Sequence, residues 1–233
     1  MENDMIINDS ETTTPKTKSF VFMKKQNFYK LFWVYIIGCV IGVVVEVIFC
    51  ILKYGRYESR VGLVWGPFNP VYGFGAVVML IVLSRLAQKR DLWIFLGSMV
   101  IGGLFEYFCS LFQELTFGTV SWEYSDTQIN IAGRTNLLYS FFWGILGLVF
   151  IKDIMPRLNK LLEKLKGKTA FIITWIMIVF MAVDMAVSSM AVYRWQRRDS
   201  GIASTNVLTQ CIDKFFPDEF MEKEYPNMIR VKK

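Results

Sequence analysis

The sequence predicts an all-α integral membrane protein with about five transmembrane helices that include a tandem helix–loop–helix repeat. Of its 233 residues, 54% are hydrophobic and 16% are aromatic. Its mean hydropathy of +0.37 is higher than a soluble domain of this size normally shows. Apolar runs near the ~20 residues needed to cross a bilayer recur along the chain. The chain has no histidine and no closely spaced cysteine pair, so no metal site and no cofactor is expected.

Five apolar segments account for the predicted spans. They cover residues 29–52, 71–86, 92–115, 137–155 and 170–193. Residues 29–193 are therefore the predicted transmembrane domain, residues 1–28 are interpreted as a disordered cytoplasmic arm, and residues 194–233 as a polar C-terminal tail. After Pro156, leucines at helical spacing alternate with basic residues. This pattern predicts a basic amphipathic helix that lies on the inner membrane surface, or alternatively docks a cytoplasmic partner.

Lysine and arginine set the predicted orientation. They concentrate in the N-terminal arm, in the turn after the second span and in the loop after the fourth. Because cytoplasmic loops carry such an excess, we expect a multi-pass cell-membrane protein with a cytoplasmic N-terminus. Five crossings then place the tail outside, which Arg194, Arg197 and Arg198 oppose. A sixth crossing or a re-entrant segment would remove that conflict.

An internal repeat relates the first span to the third. An offset of 60 residues superposes Trp33 on Trp93, Ile41 on Ile101, Gly42 on Gly102 and Glu46 on Glu106, and more weakly Gly73 on Gly133. The pattern predicts two tandem units, about 29–88 and 89–155, in the same orientation, as in transporters with parallel repeats. Small residues four positions apart would let a second helix approach closely beside each glutamate. Chance similarity between two glycine-containing apolar helices is the alternative.

Three acidic residues fall inside predicted spans and are the first candidates for a binding site. Glu46, Glu106 and Asp184 lie in the first, third and fifth spans, at similar depth toward the outer leaflet. A charged group at the bilayer centre costs about 2.5–3.5 kcal/mol on insertion scales, so such residues pair, bind a ligand or move protons. Arg134 is the expected counter-ion for one glutamate, and Glu114 is interpreted as a water-facing interface residue. Hydrogen bonding between helices alone is the structural alternative.

Two loops on the predicted outer side are unusual in composition. Residues 65–75 contain two prolines and three glycines, and residues 118–134 are rich in aromatic and polar side chains. Irregular backbone at membrane depth is tolerated where it is buried in protein or lines a cavity. The residues expected to line the mouth of the site, as an alternative to an aromatic interface belt, are Trp65, Asn69, Trp122, Tyr124 and Asn130.

Several motifs occur together in this chain, namely Gly42-x-x-x-Glu46, the segment 65–75, Glu106-Tyr107, 122–125, 130–134 and Trp143-Gly144. As a set they resemble a bacterial family of multi-pass membrane proteins, the putative type IV ABC-transporter permeases. The resemblance covers residues 30–150 well and the region from Asp184 onward more weakly. One departure is Glu123, where the family pattern tends to have aspartate. The resemblance implies a transmembrane subunit of an importer or exporter.

The predicted function is that of a transport subunit with an outward-facing acidic pocket for a cation, a proton or an amine-bearing solute. No GxxxxGK[ST] loop is present, so any ATP hydrolysis would come from a separate cytoplasmic ATPase. The lipid bilayer and a second copy of the chain are other expected partners, and nucleic acid is not. An intramembrane enzyme acting on lipid or envelope substrates is one alternative, although the commonest catalytic base is missing. A membrane scaffold or sensor that transports nothing is the other.

Overall fold

The computed structural model describes residues 28–164 and 167–230, and the protein is mostly helical, at 71%. Four helices are long and apolar enough to cross a membrane. They are Phe28–Tyr54, Asp91–Phe117, Leu137–Leu162 and Lys168–Asp199, and a shorter apolar helix, Pro70–Leu83, lies between the first two. The predicted all-α membrane fold is confirmed. The predicted N-terminal arm lies outside the described residues, except for Phe28 at the start of the first helix.

The helices follow the predicted spans, and the largest differences are at the ends of α2 and α6 and at the junction of α4 with α5. We label them α1 (Phe28–Tyr54), α2 (Pro70–Leu83), α3 (Asp91–Phe117), α4 (Leu137–Val149), α5 (Met155–Leu162) and α6 (Lys168–Asp199). Helix α2 ends three residues early, because the chain turns at Ser84. Helix α6 continues six residues beyond the predicted fifth span. A π-helical segment, Phe150–Ile154, joins α4 to α5 without a break.

The predicted amphipathic surface helix is in fact the continuation of α4. Its apolar side chains Met155 and Leu158 are buried against Val34 of α1 and Leu80 of α2. The expectation of a separate helix on the membrane surface is therefore wrong. The helix is amphipathic as predicted, but its apolar face packs on other helices of the protein and not on lipid.

The first two helices form an antiparallel pair, and so do α3 and α4. In the first pair the backbone of Gly42 lies against the ring of Tyr72, and Gly38 lies against Ala76. In the second pair Gly102 lies against the ring of Trp143, and Gly147 lies against Ser98. These glycines let the helices approach so closely that a ring of one helix rests on the backbone of the other.

Corresponding contacts in the two pairs are related by two offsets. Positions in α1 and α3 differ by 60, whereas Tyr72 and Trp143 are 71 apart (143 minus 72). Gly73, which contacts Tyr35, therefore corresponds to Gly144, which contacts Phe95. The alignment of Gly73 with Gly133 is wrong, because Gly133 lies in the α3–α4 loop with a φ of +66°.

Helix α6 packs parallel to α1. Trp33 Nε1 donates a 2.9 Å hydrogen bond to Thr174 Oγ1, and the Tyr35 hydroxyl donates to Met185 Sδ at 3.6 Å. The C-terminal ends of α1, α3 and α6 therefore lie on one side of the molecule. We call this side, which carries the loops 55–69 and 118–136, the loop side.

The tail folds back as a small cap on the loop side. It contains α7 (Val207–Phe215), α8 (Asp218–Glu224) and β4 (Ile229–Arg230). Strand β4 pairs antiparallel with β1 (Thr119–Val120), directly after α3, and a second hairpin joins β2 (Asn130–Ile131) to β3 (Thr135–Asn136). The core under the cap consists of Val64, Ala191, Val192, Trp195, Ile212, Phe216, Met221 and Tyr225.

The arginines that opposed an outer tail are bound within this cap. Arg194 forms a bidentate pair with Asp213, at 3.0 and 2.6 Å, and Arg198 contacts both Asp213 and Asp218. Charges neutralised in a folded cap give little information on topology. Among the described residues, no further helix long enough to cross a membrane follows α6.

Candidate functional site

Glu106 of α3 is the centre of a buried polar group of side chains. It is 8% exposed, and both carboxylate oxygens accept hydrogen bonds. Tyr124 donates to Oε1 at 2.9 Å, and Thr135 donates to Oε2 at 2.8 Å. Trp143 of α4 also interacts with this carboxylate. A carboxylate buried among apolar helices requires such donors.

The α3–α4 loop brings Tyr124 to this position. The backbone N–H of Tyr124 donates to Gly133 O at 2.8 Å, and the Tyr124 ring stacks on Tyr139 with centroids 4.7 Å apart. Burial, with the Glu106 carboxylate as the next cause, raises the pKa of Tyr124 well above its ordinary value. The phenol therefore stays protonated and remains a donor to Glu106.

Glu46 of α1 joins the same group through Tyr72. Tyr72 interacts electrostatically with Glu46, and also with Tyr124 and Glu106. Glu46 and Glu106 lie within electrostatic range of each other. We call the four side chains Glu46, Tyr72, Glu106 and Tyr124 the acidic cluster.

The acidic cluster has no ion-pair partner among the described lysines and arginines. In the described part of the chain, neither glutamate forms an ion pair with lysine or arginine. Two carboxylates that share an apolar site favour the uptake of a proton or another cation. Glu46 is the more accessible of the two, since it is only half-buried whereas Glu106 is buried.

Asp184 is not part of this cluster, in contrast to the prediction that the three acids share a pocket. It is 0% exposed on α6, and its Oδ1 accepts from Ser188 Oγ at 3.1 Å and from the Trp65 backbone N–H at 3.3 Å. Ser188 also accepts from the Val64 N–H at 2.9 Å. The second carboxylate oxygen of Asp184 has no hydrogen-bond partner among the described residues. Asp184 therefore holds the 55–69 loop on α6.

Arg134 pairs with Glu114 and not with Glu46 or Glu106. Its guanidinium bonds to Glu114 and, at 3.2 Å, to Ser110 Oγ, and it lies 5.9 Å from the Tyr107 ring centroid. The expectation that Arg134 is the counter-ion of an intramembrane glutamate is wrong. The reason is depth, because Glu114 lies about 12 Å further along α3 than Glu106. Glu114, expected to face water, is instead an ion-pair partner with a side chain 30% exposed.

The remaining predicted site residues hold the loops in place. Asn69 caps α2 by accepting from the Val71 N–H at 3.1 Å, and Asn130 accepts from the Gly133 N–H at 3.0 Å. Trp122 Nε1 donates to the Arg134 carbonyl oxygen at 2.8 Å. The Trp65 ring lies 6.3 Å from that of Phe216 in the cap.

Sequence reasoning missed Tyr72, Thr135, Tyr139 and Trp143 as site residues. A usable signal was present, since Gly42 and Gly102 precede the glutamates by one helical turn. A glycine at such a position indicates close approach of a bulky partner from the next helix. The identity of that partner depends on the register of the antiparallel pair, which the loop lengths set.

The fold and the cluster define an α-helical membrane protein built from two related helix hairpins, the long helix α6 and a cap. Residues 33–189 match the family described as "Putative ABC-transporter type IV", and the chain belongs to this family. The resemblance inferred from the motifs is confirmed. The description of this family points to a membrane component of the ABC-transporter type. No curated protein and no solved structure matches the chain.

Proposed function

We propose that this chain is the transmembrane subunit of a transporter and that the acidic cluster binds a cation, a proton or an amine-bearing solute. The observation that carries the proposal is the convergence of Glu46 and Glu106. These residues occupy corresponding positions in two related helix pairs and have no described lysine or arginine partner. Family membership supports the transport part of the proposal.

The chemistry of the cluster suits a positively charged ligand. In a site with few water molecules, attraction between a cation and a carboxylate is stronger than in bulk water. Glu106 already accepts two hydrogen bonds, so the half-buried Glu46 makes the first contact with the ligand. The rings of Tyr72 and Trp143 lie beside the carboxylates and offer aromatic faces to a cation.

The other predicted site residues support the walls of the site in this proposal. Trp122 and Asn130 fix the loop that carries Tyr124, while Asn69 fixes the start of the helix that carries Tyr72. Asp184 and Arg134 hold the 55–69 and 118–136 loops to α6 and α3. None of these five needs to touch the ligand.

The energy source and the assembly are also part of the proposal. A separate cytoplasmic ATPase would drive transport, because this chain has no phosphate-binding loop. Its docking surface would lie on the side opposite the loop side, where the N-terminus of α1 and the α5–α6 connection are found. Assembly as a homo-oligomer in the lipid bilayer is compatible with this arrangement.

The proposal is tested by the thermal stability of the purified protein against Na⁺, K⁺, protons and a panel of small amines. A ligand that binds the folded state raises the unfolding temperature in proportion to its saturation. We expect one class of cation to stabilise wild type and to lose this effect in both Glu46→Gln and Glu106→Gln. Glu219→Gln, which removes an exposed acid of the cap outside the cluster, is the control and should retain the response.

The scaffold alternative has one observation in its favour. Both oxygens of Glu106 are satisfied by protein donors, as expected for a carboxylate that only fixes helix packing. If no cation stabilises wild type and both glutamine variants merely unfold at lower temperature, the cluster is structural and the transporter proposal fails. Turnover of a lipid by the purified chain would instead favour an enzyme.

A further inference from the structure

An apolar groove runs along the membrane-spanning part of the molecule between the two helix pairs. It is bounded by α1 and α2 on one wall and by α4 and α5 on the other. Apart from two aromatic residues at one end, its lining consists of aliphatic side chains, one phenylalanine and glycines. The residues that matter for the argument are Val34, Ile41, Val45, Ala76 and Leu146.

Tyr72 and Trp143 form the loop-side end of this groove and separate it from the carboxylates. Both rings line the groove, and each lies on a glycine of the neighbouring helix. Tyr72 also interacts with Glu46, and Trp143 interacts with Glu106. An apolar channel and an acidic cluster therefore meet at two aromatic rings.

One side of the groove opens to the surroundings of the helices. Ile41, Val45 and Leu146 line it and are among the exposed large apolar residues of the molecule. In a bilayer these positions face acyl chains, so a molecule can enter the groove from the lipid. A small hydrated ion would not enter the groove from this side, because it does not partition into the hydrocarbon region of a bilayer.

We propose that the solute recognised by the acidic cluster is an amphiphilic amine, with its ammonium group at Glu46 and Glu106 and its alkyl chain in the groove. This inference rests on the proposed function and names its substrate class. Charge complementarity selects the head group, and the rings of Tyr72 and Trp143 lie where the ammonium meets the chain. From Val34 to Val45 the groove follows α1 for about 16 Å, enough for an alkyl chain of roughly a dozen carbons.

The experiment compares three probes in nanodiscs of phosphatidylcholine, a lipid without a primary amine. Dodecylamine is the amphiphilic amine, methylamine has the head group alone, and dodecanol has the chain alone. Each is titrated to a known mole fraction or concentration, and its apparent affinity is obtained from the shift of the unfolding temperature. The proteins are wild type, Glu46→Gln, Val45→Trp and Val44→Trp.

The two valines provide a matched pair. Val45 lines the groove and is 53% exposed, whereas Val44 is 50% exposed on the same helix and is not among the lining residues. A tryptophan at either position projects into lipid, but only at position 45 does it obstruct the groove. We expect Val45→Trp to weaken the binding of dodecylamine about tenfold or more, equivalent to about 1.4 kcal/mol. We expect Val44→Trp to bind dodecylamine as wild type does. We expect dodecylamine not to raise the unfolding temperature of Glu46→Gln.

Three results would overturn this inference. If methylamine binds as well as dodecylamine and Val45→Trp has no effect, the ligand is a small cation, and the proposed function survives without the groove. If dodecanol stabilises wild type as strongly as dodecylamine does, and Glu46→Gln does not reduce the stabilisation by dodecylamine, the groove holds an ordinary lipid chain. If Na⁺, K⁺ or protons stabilise the protein through both glutamates but no amine does, the substrate class is wrong while the site is right.

Discussion

Tyr72 and Trp143 occupy corresponding positions in the two antiparallel helix pairs, and each lies between a glycine and a glutamate. Tyr72 rests on Gly42 and interacts with Glu46, while Trp143 rests on Gly102 and interacts with Glu106. The same construction in both pairs brings two carboxylates from different helices into one cluster. The close approach of the helices and the placement of the acids therefore depend on the same residues.

Substitution of the paired glycines should destabilise the fold. In Gly42→Ala and Gly102→Ala the new methyl group would collide with a ring that is itself held by a glutamate. We expect each variant to lose about 1–3 kcal/mol of stability, as is typical of overpacking. Gly75→Ala is the control, because its methyl would lie 3.2 Å from Phe105 and alanine also favours helix over glycine. Thermal unfolding in detergent measures all three, and equal effects at the three positions would contradict the argument.

Removal of the donors to Glu106 should also destabilise the protein. Tyr124→Phe keeps the stacked ring but loses the hydroxyl, and Thr135→Val keeps the side-chain shape. Each leaves a buried carboxylate oxygen without its donor, so we expect a loss of about 1–3 kcal/mol. Tyr139→Phe is the control, because no hydrogen bond from its hydroxyl is found in the described part of the chain. If Tyr139→Phe were as unstable as Tyr124→Phe, loss of the bond to Glu106 would not be the cause of the instability.

Hydropathy was sufficient to predict the helices and the two glutamates of the cluster, because burial in lipid imposes long apolar runs. Gly42 and Gly102 at one turn before a glutamate then marked the close helix contacts. The pairing of Arg134 with Glu114 was not predictable in this way. It depends on how far the α3–α4 loop extends beside α3, and a β-hairpin of two-residue strands fixes that distance.

The folded cap was not predicted, for a different physical reason. Helices α7 and α8 have 9 and 7 residues, too short to be stable alone. Their apolar residues become a core only when they meet Val64 and the end of α6. The arginines of the tail were interpreted as topological signals, whereas Arg194 and Arg198 are partners of Asp213 within the fold.

Docking of the cap should weaken at acidic pH. The hydrogen bond from Arg194, assisted by Arg198, holds the pKa of Asp213 below its ordinary value despite the opposing effect of burial. A carboxyl group with a lowered folded-state pKa stabilises the fold above its unfolded-state pKa, and this contribution is lost as pH falls through the folded-state pKa. The full contribution is therefore present at pH 7 and declines below about pH 4.

Asp213→Asn tests this pH dependence. At pH 7 we expect the variant to lose about 2–3 kcal/mol of cap stability, because the buried Arg194 loses its charged partner. The difference from wild type should shrink as the pH is lowered toward 3. Hydrogen exchange of residues 207–224, corrected for the intrinsic effect of pH, measures it. A difference that stays constant from pH 7 to 3 would mean that the Asp213 charge does not hold the cap.

The cap and the loop side should face the cell exterior, and Cys211 is a natural reporter of that topology. It is exposed on α7, whereas Cys39 and Cys50 are buried and Cys109 is half-buried. Because β4 of the tail pairs with β1 after α3, labelling of Cys211 reports on the whole loop side. We expect a membrane-impermeant maleimide to label wild type in intact cells and not to label Cys211→Ser. In the Cys211→Ser background, Lys89→Cys places a thiol in the α2–α3 turn, on the opposite side, and should react only after permeabilisation. Labelling of position 89, but not of Cys211, in intact cells would reverse the predicted orientation and would place the acidic cluster toward the cytoplasm.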